Sequence, residues 1–230
     1  MAEHSPPSSE VERPKKKQRL EAPTFRDPMS TIVLKTPLFL ERFMVHEEVA
    51  CLYSPVIAKA VLESENNNLE FNTRAPPQVV RRFVQWLYTQ NLVLHFYHED
   101  PCDKYCRGLR HGELLDLVGL WITAKELKIP SLQDQIIRAF DVLYQEHGCS
   151  IFFEYIPKLY ERTRPKCALR KYFVALCARG FHRYRHVFDE DMYTLPNQFV
   201  IEIADHACTK LSDAQKSYNL SDYLCNPEEE

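Results

Sequence analysis

The stretch Val45-His46-Glu47-Glu48-Val49-Ala50-Cys51-Leu52-Tyr53-Ser54-Pro55-Val56-Ile57 decides the fold. Residues 47–52 read as a short helix that ends near Ser54-Pro55. Pro55 disfavours helical geometry at Ser54 and suits the first turn of a new helix. Val56, Ile57, Ala60 and Val61 then fall on one helical face. To the left, Thr31-Ile32-Val33-Leu34 is β-branched, lies between Pro28 and Pro37, and reads as a strand. Residues 38–45 are largely apolar and can pair back on it through a Pro-containing turn, giving a hairpin.

Working outward, Asn66-Asn67-Asn68 is a turn, and Leu69 and Phe71 alternate with Glu70 as a brief strand. Pro76-Pro77 opens a helix with Val79, Val80, Phe83, Val84 and Leu87 on one face and Arg81, Arg82 and Gln85 on the other. Leu92-Val93-Leu94 is a further strand candidate. Residues 95–112 are polar, contain Pro101 and Gly108, and read as a surface loop insertion. Residues 113–127 form a strongly periodic helix, with Leu114, Leu117, Val118, Trp121 and Ala124 in register. Pro130 breaks it, and Ser131 is placed to cap the next helix, whose stripe is Leu132, Ile136, Ala139, Phe140 and Leu143. The remainder is helical: residues 151–163 interrupted by Pro157, residues 167–179, and residues 196–211 with Phe199, Ile203 and Ala207 spaced by four. The order predicts an α+β protein, a small mixed sheet covered by helices, followed by an all-helical extension.

A chain of 230 residues with 45% hydrophobic and 27% charged residues suits one medium soluble domain plus appendages. Its formal charge of -3 argues against a polyanion binder as a whole. Five Gly argue against a Gly-rich phosphate-binding enzyme. The N-terminus lacks the apolar core of a secretory signal, and no run reaches membrane-spanning length. Most of the eight Cys are scattered singly, which in a reducing compartment predicts buried free thiols.

Residues 1–27 are rich in Pro, Ser and charge and are expected to be a disordered tail. Within it lie Lys15, Lys16, Lys17 and Arg19, which resemble a short monopartite nuclear-import signal. Localisation is therefore expected to be nuclear, with a cytoplasmic share. The remaining divisions are 28–146 for the α+β domain, 147–212 for the helical extension and 213–230 for a flexible C-terminus.

The residues from 45 to 57 resemble the "FxVHKxxLxxxSPxF" signature of BTB/POZ domains. Three further matches come in order: Leu69-Glu70-Phe71 as the next strand, Val79 to Tyr88-Thr89 as the "FxxWLYT" helix, and Leu114 to Leu127 with Ile129-Pro130-Ser131-Leu132 as the subsequent helix pair. His46, Ser54, Pro55 and Tyr88 are the structural signature positions. Beyond them, Leu159-Tyr160-Glu161-Arg162-Thr163, Ala168-Leu169-Arg170 and Leu195-Pro196-Asn197-Gln198-Phe199 resemble the "VYExT…xLR…LPxxF" pattern that succeeds this domain in many proteins of filamentous fungi. The resemblance implies a non-catalytic protein–protein interaction module. Members of the family dimerise, recruit transcriptional corepressors, or serve as adaptors of cullin-type ubiquitin ligase complexes. The expected partners are a cullin scaffold or a second BTB chain, with no membrane, direct nucleic-acid or small-molecule partner. In family terms the cullin contacts come from the helices around Leu87-Tyr88 and from the loop and helices after Leu94. The alternative is a nuclear, transcription-associated factor acting through homotypic or corepressor contacts. Glu47 and Tyr53 stand where the family often has basic residues, which weakens the charged-pocket form of corepressor recruitment.

Reactive chemistry has little support. His98, Cys102, Cys106 and His111 are zinc ligand types, but their spacing is not that of a common finger, so no metal and no other cofactor is expected. His46 lacks a nucleophile nearby in sequence and reads as a packed core histidine. Glu47 and Glu48 would point about 100° apart on a helix. Trp86 and Trp121 read as core, and no catalytic residue or enzyme activity is expected.

Overall fold

The computed structural model describes residues 23, 30–36, 38, 40–64, 69–94, 104–147, 153, 155–180 and 195–210. The import motif at Lys15 to Arg19 and the Asn66-Asn67-Asn68 turn lie outside them. Strands β1 (Thr31–Thr36) and β2 (Glu41–His46) form the hairpin, antiparallel from Thr31↔His46 to Thr36↔Glu41. Side chains alternate across a strand. Ile32, Leu34 and Thr36 accordingly face the core, and Lys35 faces out. Helices α1 (Glu47–Tyr53) and α2 (Pro55–Leu62) carry the chain over to β3 (Glu70–Asn72), which pairs parallel with β1 at Leu34↔Phe71. A parallel pair needs such a crossover. The strand order is β2-β1-β3, a small mixed sheet.

The helices come next: α3 (Pro77–Thr89), α4 (Lys104–Glu126), α5 (Pro130–His147), α6 (Ile156–Arg162), α7 (Ala168–Gly180) and α8 (Asn197–Lys210). The architecture is therefore mixed α+β and mostly helical. One continuous apolar core runs from Ile32 in β1 to Ile203 in α8. Phe140 of α5 meets Phe173 of α7 edge-to-face with centroids 5.1 Å apart, which joins the last helices to the preceding ones. Helix α3 approaches α4 so closely at Gly119 that an added Cβ would lie 2.9 Å from a Val79 methyl.

Several local expectations are corrected. Helix α4 begins at Lys104, inside the expected 95–112 loop. Gly108, Gly112 and the lack of periodicity concealed it, although extending an existing helix requires no new nucleus. Leu92-Val93-Leu94 is not a strand. The Arg82 Nη1 donates to the Val93 carbonyl at 3.2 Å, so a side chain occupies the acceptor a ladder would use. Helix α5 starts at Pro130 rather than after a Ser131 cap, because the first turn needs no proline N–H. Pro157 likewise opens α6 instead of interrupting a helix. Ala207 is exposed, so the buried stripe of α8 ends at Ile203. Cys51 is half-buried and Cys208 exposed, whereas Cys167 and Cys177 are buried; all four are free thiols.

Two junctions set helix directions. Lys128 adopts φ 55, and the Lys128 and Ile129 N–H groups donate to the Lys125 and Ala124 carbonyls. This is a Schellman ending built on lysine rather than glycine. At the other junction, fully buried Ser54 caps α2: its Oγ accepts from the Ile57 N–H at 3.2 Å. The same hydroxyl donates to the Leu127 carbonyl at 2.9 Å, tying α2 to the end of α4. Losing a cap costs about 1 kcal/mol, and stranding a buried carbonyl about 1–3 kcal/mol. Ser54→Ala is therefore expected to lower unfolding stability by about 2–4 kcal/mol in urea titration. A loss below about 0.5 kcal/mol would show the hydroxyl to be dispensable.

Candidate interaction surface

His46 and Tyr88 are brought together at the seam between β2 and α3. The Tyr88 hydroxyl lies 2.8 Å from His46 Nδ1 and accepts from the His46 N–H at 3.0 Å. The rings meet edge-on with centroids 5.7 Å apart. His46 is half-buried, not a core residue as the sequence suggested, because it ends a strand where the sheet gives way to solvent. Tyr88 remains exposed and available to a partner, whereas neighbouring Leu87 is buried and is not. Tyr53, the departure from the family pattern, packs its ring against Trp86 at 5.5 Å.

Trp86 is buried, and its indole N–H donates to Gln135 Oε1 at 3.0 Å. Gln135 Nε2 in turn donates to the Gln90 carbonyl at 3.2 Å. Gln90 ends α3 with φ 54 and donates its own side-chain amide to the Trp86 and Leu87 carbonyls. This network fixes the end of α3, and with it the position of Tyr88. Trp121 is also buried, but its Nε1 has no partner among the described residues.

Arg82 is not the solvated residue its helix face suggested. Its Nη2 lies 2.8 Å from buried Glu113, and its Nε 3.4 Å from Asp116. No local sequence signal links Arg82 to acids more than thirty positions away. Burial pushes the Asp116 carboxyl up, against the pull of the Arg82 guanidinium, and nearby Glu113 adds to the rise.

The fungal-type pattern converges on Arg170, whose side chain is buried. Its Nε donates to Thr163 Oγ1 at 2.8 Å, and its Nη2 to the Tyr160 carbonyl at 2.6 Å and to the Thr163 carbonyl. The guanidinium sits 4.0 Å from the Tyr160 ring centroid. The cation therefore closes the carbonyl end of α6, where positive charge is favourable. The Tyr160 hydroxyl donates to Glu202 of α8, and its ring meets Phe199 at 5.6 Å. Burial, then the Glu202 contact, pushes the Tyr160 hydroxyl pKa up, so it stays a donor.

The hairpin also carries exposed apolar side chains. Leu38 and Leu40 are 81% and 89% exposed, and Met44 is exposed further along β2. Beside the hairpin, Arg81 pairs with Glu41 at 2.8 Å and lies 5.8 Å above the Phe43 ring.

No family model matches the chain, and no curated protein matches it.

Of the zinc candidates, His98 and Cys102 lie outside the described residues. Cys106 and His111 both lie on α4, five positions apart. The His111 ring lies 4.8 Å from Tyr155. Among the described residues no group of His, Cys, Asp and Glu could hold a metal ion, and no helix is long and apolar enough to cross a membrane.

Two substitutions test these contacts. Lysine cannot reproduce the planar fork of arginine. Arg170→Lys is therefore expected to cost about 2–3 kcal/mol, read as a lowered thermal midpoint; an unchanged midpoint would show that the clamp contributes nothing. The raised Asp116 value means the folded state holds this proton more tightly than the unfolded state. Its contribution to stability is then largest below the ordinary value of 3.8 and falls as pH rises through the raised one. Asp116→Asn should remove that decline in urea titrations from acid to neutral pH, and an unchanged slope would contradict it.

Proposed function

We propose that this chain is a BTB/POZ-like, non-catalytic interaction module that acts as an adaptor or scaffold for a cullin-type ubiquitin ligase in the nucleus and cytoplasm. One observation carries the reading. The signature residues are held in structural contacts, His46 with Tyr88 and Ser54 with the Leu127 carbonyl, while the Tyr88 ring and the hairpin leucines face outward. Residues locked into backbone contacts position elements, and large exposed side chains offer area to a partner. The mixed sheet with helices closing over it supports the same reading at the level of architecture.

The mechanism is one of geometry. The Trp86–Gln135–Gln90 network fixes the end of α3. A partner helix that docks there meets a Tyr88 ring already held by His46, so little side-chain freedom is lost on binding. The basic run from Lys15 to Arg19 would deliver the protein to the nucleus. Recruitment through the hairpin or the C-terminal helices would then bring a second protein close to the ligase.

Affinity purification of the tagged chain from its native cells, with mass spectrometry against a tag-only control, tests this. The expected result is recovery of a cullin with its ring-finger partner, reduced about tenfold by Tyr88→Ala. Recovery of corepressor or chromatin proteins without a cullin would overturn the adaptor role and favour the transcription-associated alternative.

A further inference from the structure

A cavity of about 270 Å³ opens beside β3, floored by Leu34, Phe71, Val80, Phe83 and Leu127. Four of these five floor residues are buried, and Phe71 is half-buried. Drug-sized ligands occupy about 300–1,000 Å³, so this space suits one or two side chains rather than a whole small molecule. Its mouth carries Arg74 and Glu126, both exposed and without an ion pair among the described residues.

The backbone beside the cavity says what kind of ligand fits. The Leu69 carbonyl accepts from Val33 and the Thr73 N–H donates to Lys35, so these odd-numbered positions of the β3 segment face β1. Backbone groups alternate along a strand. Glu70 and Asn72 therefore present their N–H and C=O groups to the opposite side, where no described residue pairs with them. Such an edge is a template for another strand. On the outer face Glu70 accepts from Lys35 and, at 2.6 Å, pairs with Arg42. Of the residues that line the cavity, Arg74 and Glu126 are the charged ones, so the mouth offers one cation for an acid of the ligand.

We infer that the open edge of β3 is a peptide-docking site. An extended segment of a partner protein adds as a fourth strand, places an aliphatic side chain in the cavity, and sets an acidic residue against Arg74. Backbone pairing supplies affinity in this mode, and the pocket and charge supply selectivity. The inference rests on the reading of the chain as an interaction module and names a site for its client.

The test selects short linear peptides from a random phage-displayed library on the full-length chain. The enriched peptides should share an aliphatic residue with a nearby acid. Asn72→Pro removes one outward N–H while leaving the β1 ladder intact, and proline is tolerated at sheet edges. It should weaken these peptides about tenfold, and Arg74→Glu should weaken them comparably. If Asn72→Pro proves unstable, hydrogen exchange on the unmodified chain decides: peptide should slow the Glu70 and Asn72 amides. No enriched pattern, or peptides indifferent to Arg74→Glu that leave those amides unprotected, would overturn the site. The two readings fail separately. A chain that recovers a cullin but selects no edge peptide loses this site alone, and one that selects edge peptides without a cullin loses the adaptor role alone.

Discussion

The rest of the molecule depends on the Ser54 hydroxyl. It accepts at the start of α2 and donates to the Leu127 carbonyl just past α4, seventy-three positions away. Because Ser54 is fully buried, neither bond competes with water. The crossover helices are thereby pinned against the longest helix. That placement sets the distance from the hairpin to β3 and so allows β1 to pair on both sides. Pro55 makes the arrangement possible by ending α1 and opening α2 without requiring an N–H.

Two arginines carry the second level of organisation, by different means. Arg82 neutralises acids from α4 and holds the chain after α3 through the Val93 carbonyl. Arg170 meets neutral carbonyls at the end of α6 and rests on an aromatic ring. The first is a charge cluster in which burial pushes the Asp116 carboxyl up against the pull of the guanidinium. The second is a cap whose strength comes from planar geometry. Neither arginine draws on the Tyr88 ring or the hairpin leucines, which stay exposed.

The two candidate partner surfaces lie on different parts of the fold. Tyr88 stands at the end of α3 beside the last residue of β2, whereas the cavity and the outer edge belong to β3. A scaffold that holds one protein at each would need rigid coupling between them, and α3 provides it: Val80 and Phe83 line the cavity and Tyr88 ends the same helix.

The sequence by itself determined the hairpin, the Ser54-Pro55 break, the brief β3 strand and the amphipathic cores of α3, α4 and α5. These arise from short-range rules: proline geometry, two-residue alternation and helical spacing. It also marked His46, Ser54, Pro55 and Tyr88, but only as members of a pattern. Their roles were not legible, since the Ser54–Leu127 and His46–Tyr88 bonds join positions far apart in the chain. The start of α4 was hidden because residues 104–112 have no periodicity and are carried into helix by the periodic residues after them. Arg82 read as part of the polar face of α3, and Arg170 only as a member of a pattern, until packing set acceptors around them. Only the tertiary structure decided those partners, the cavity and the β3 edge beside it, because each is made by elements that the local sequence never brings together.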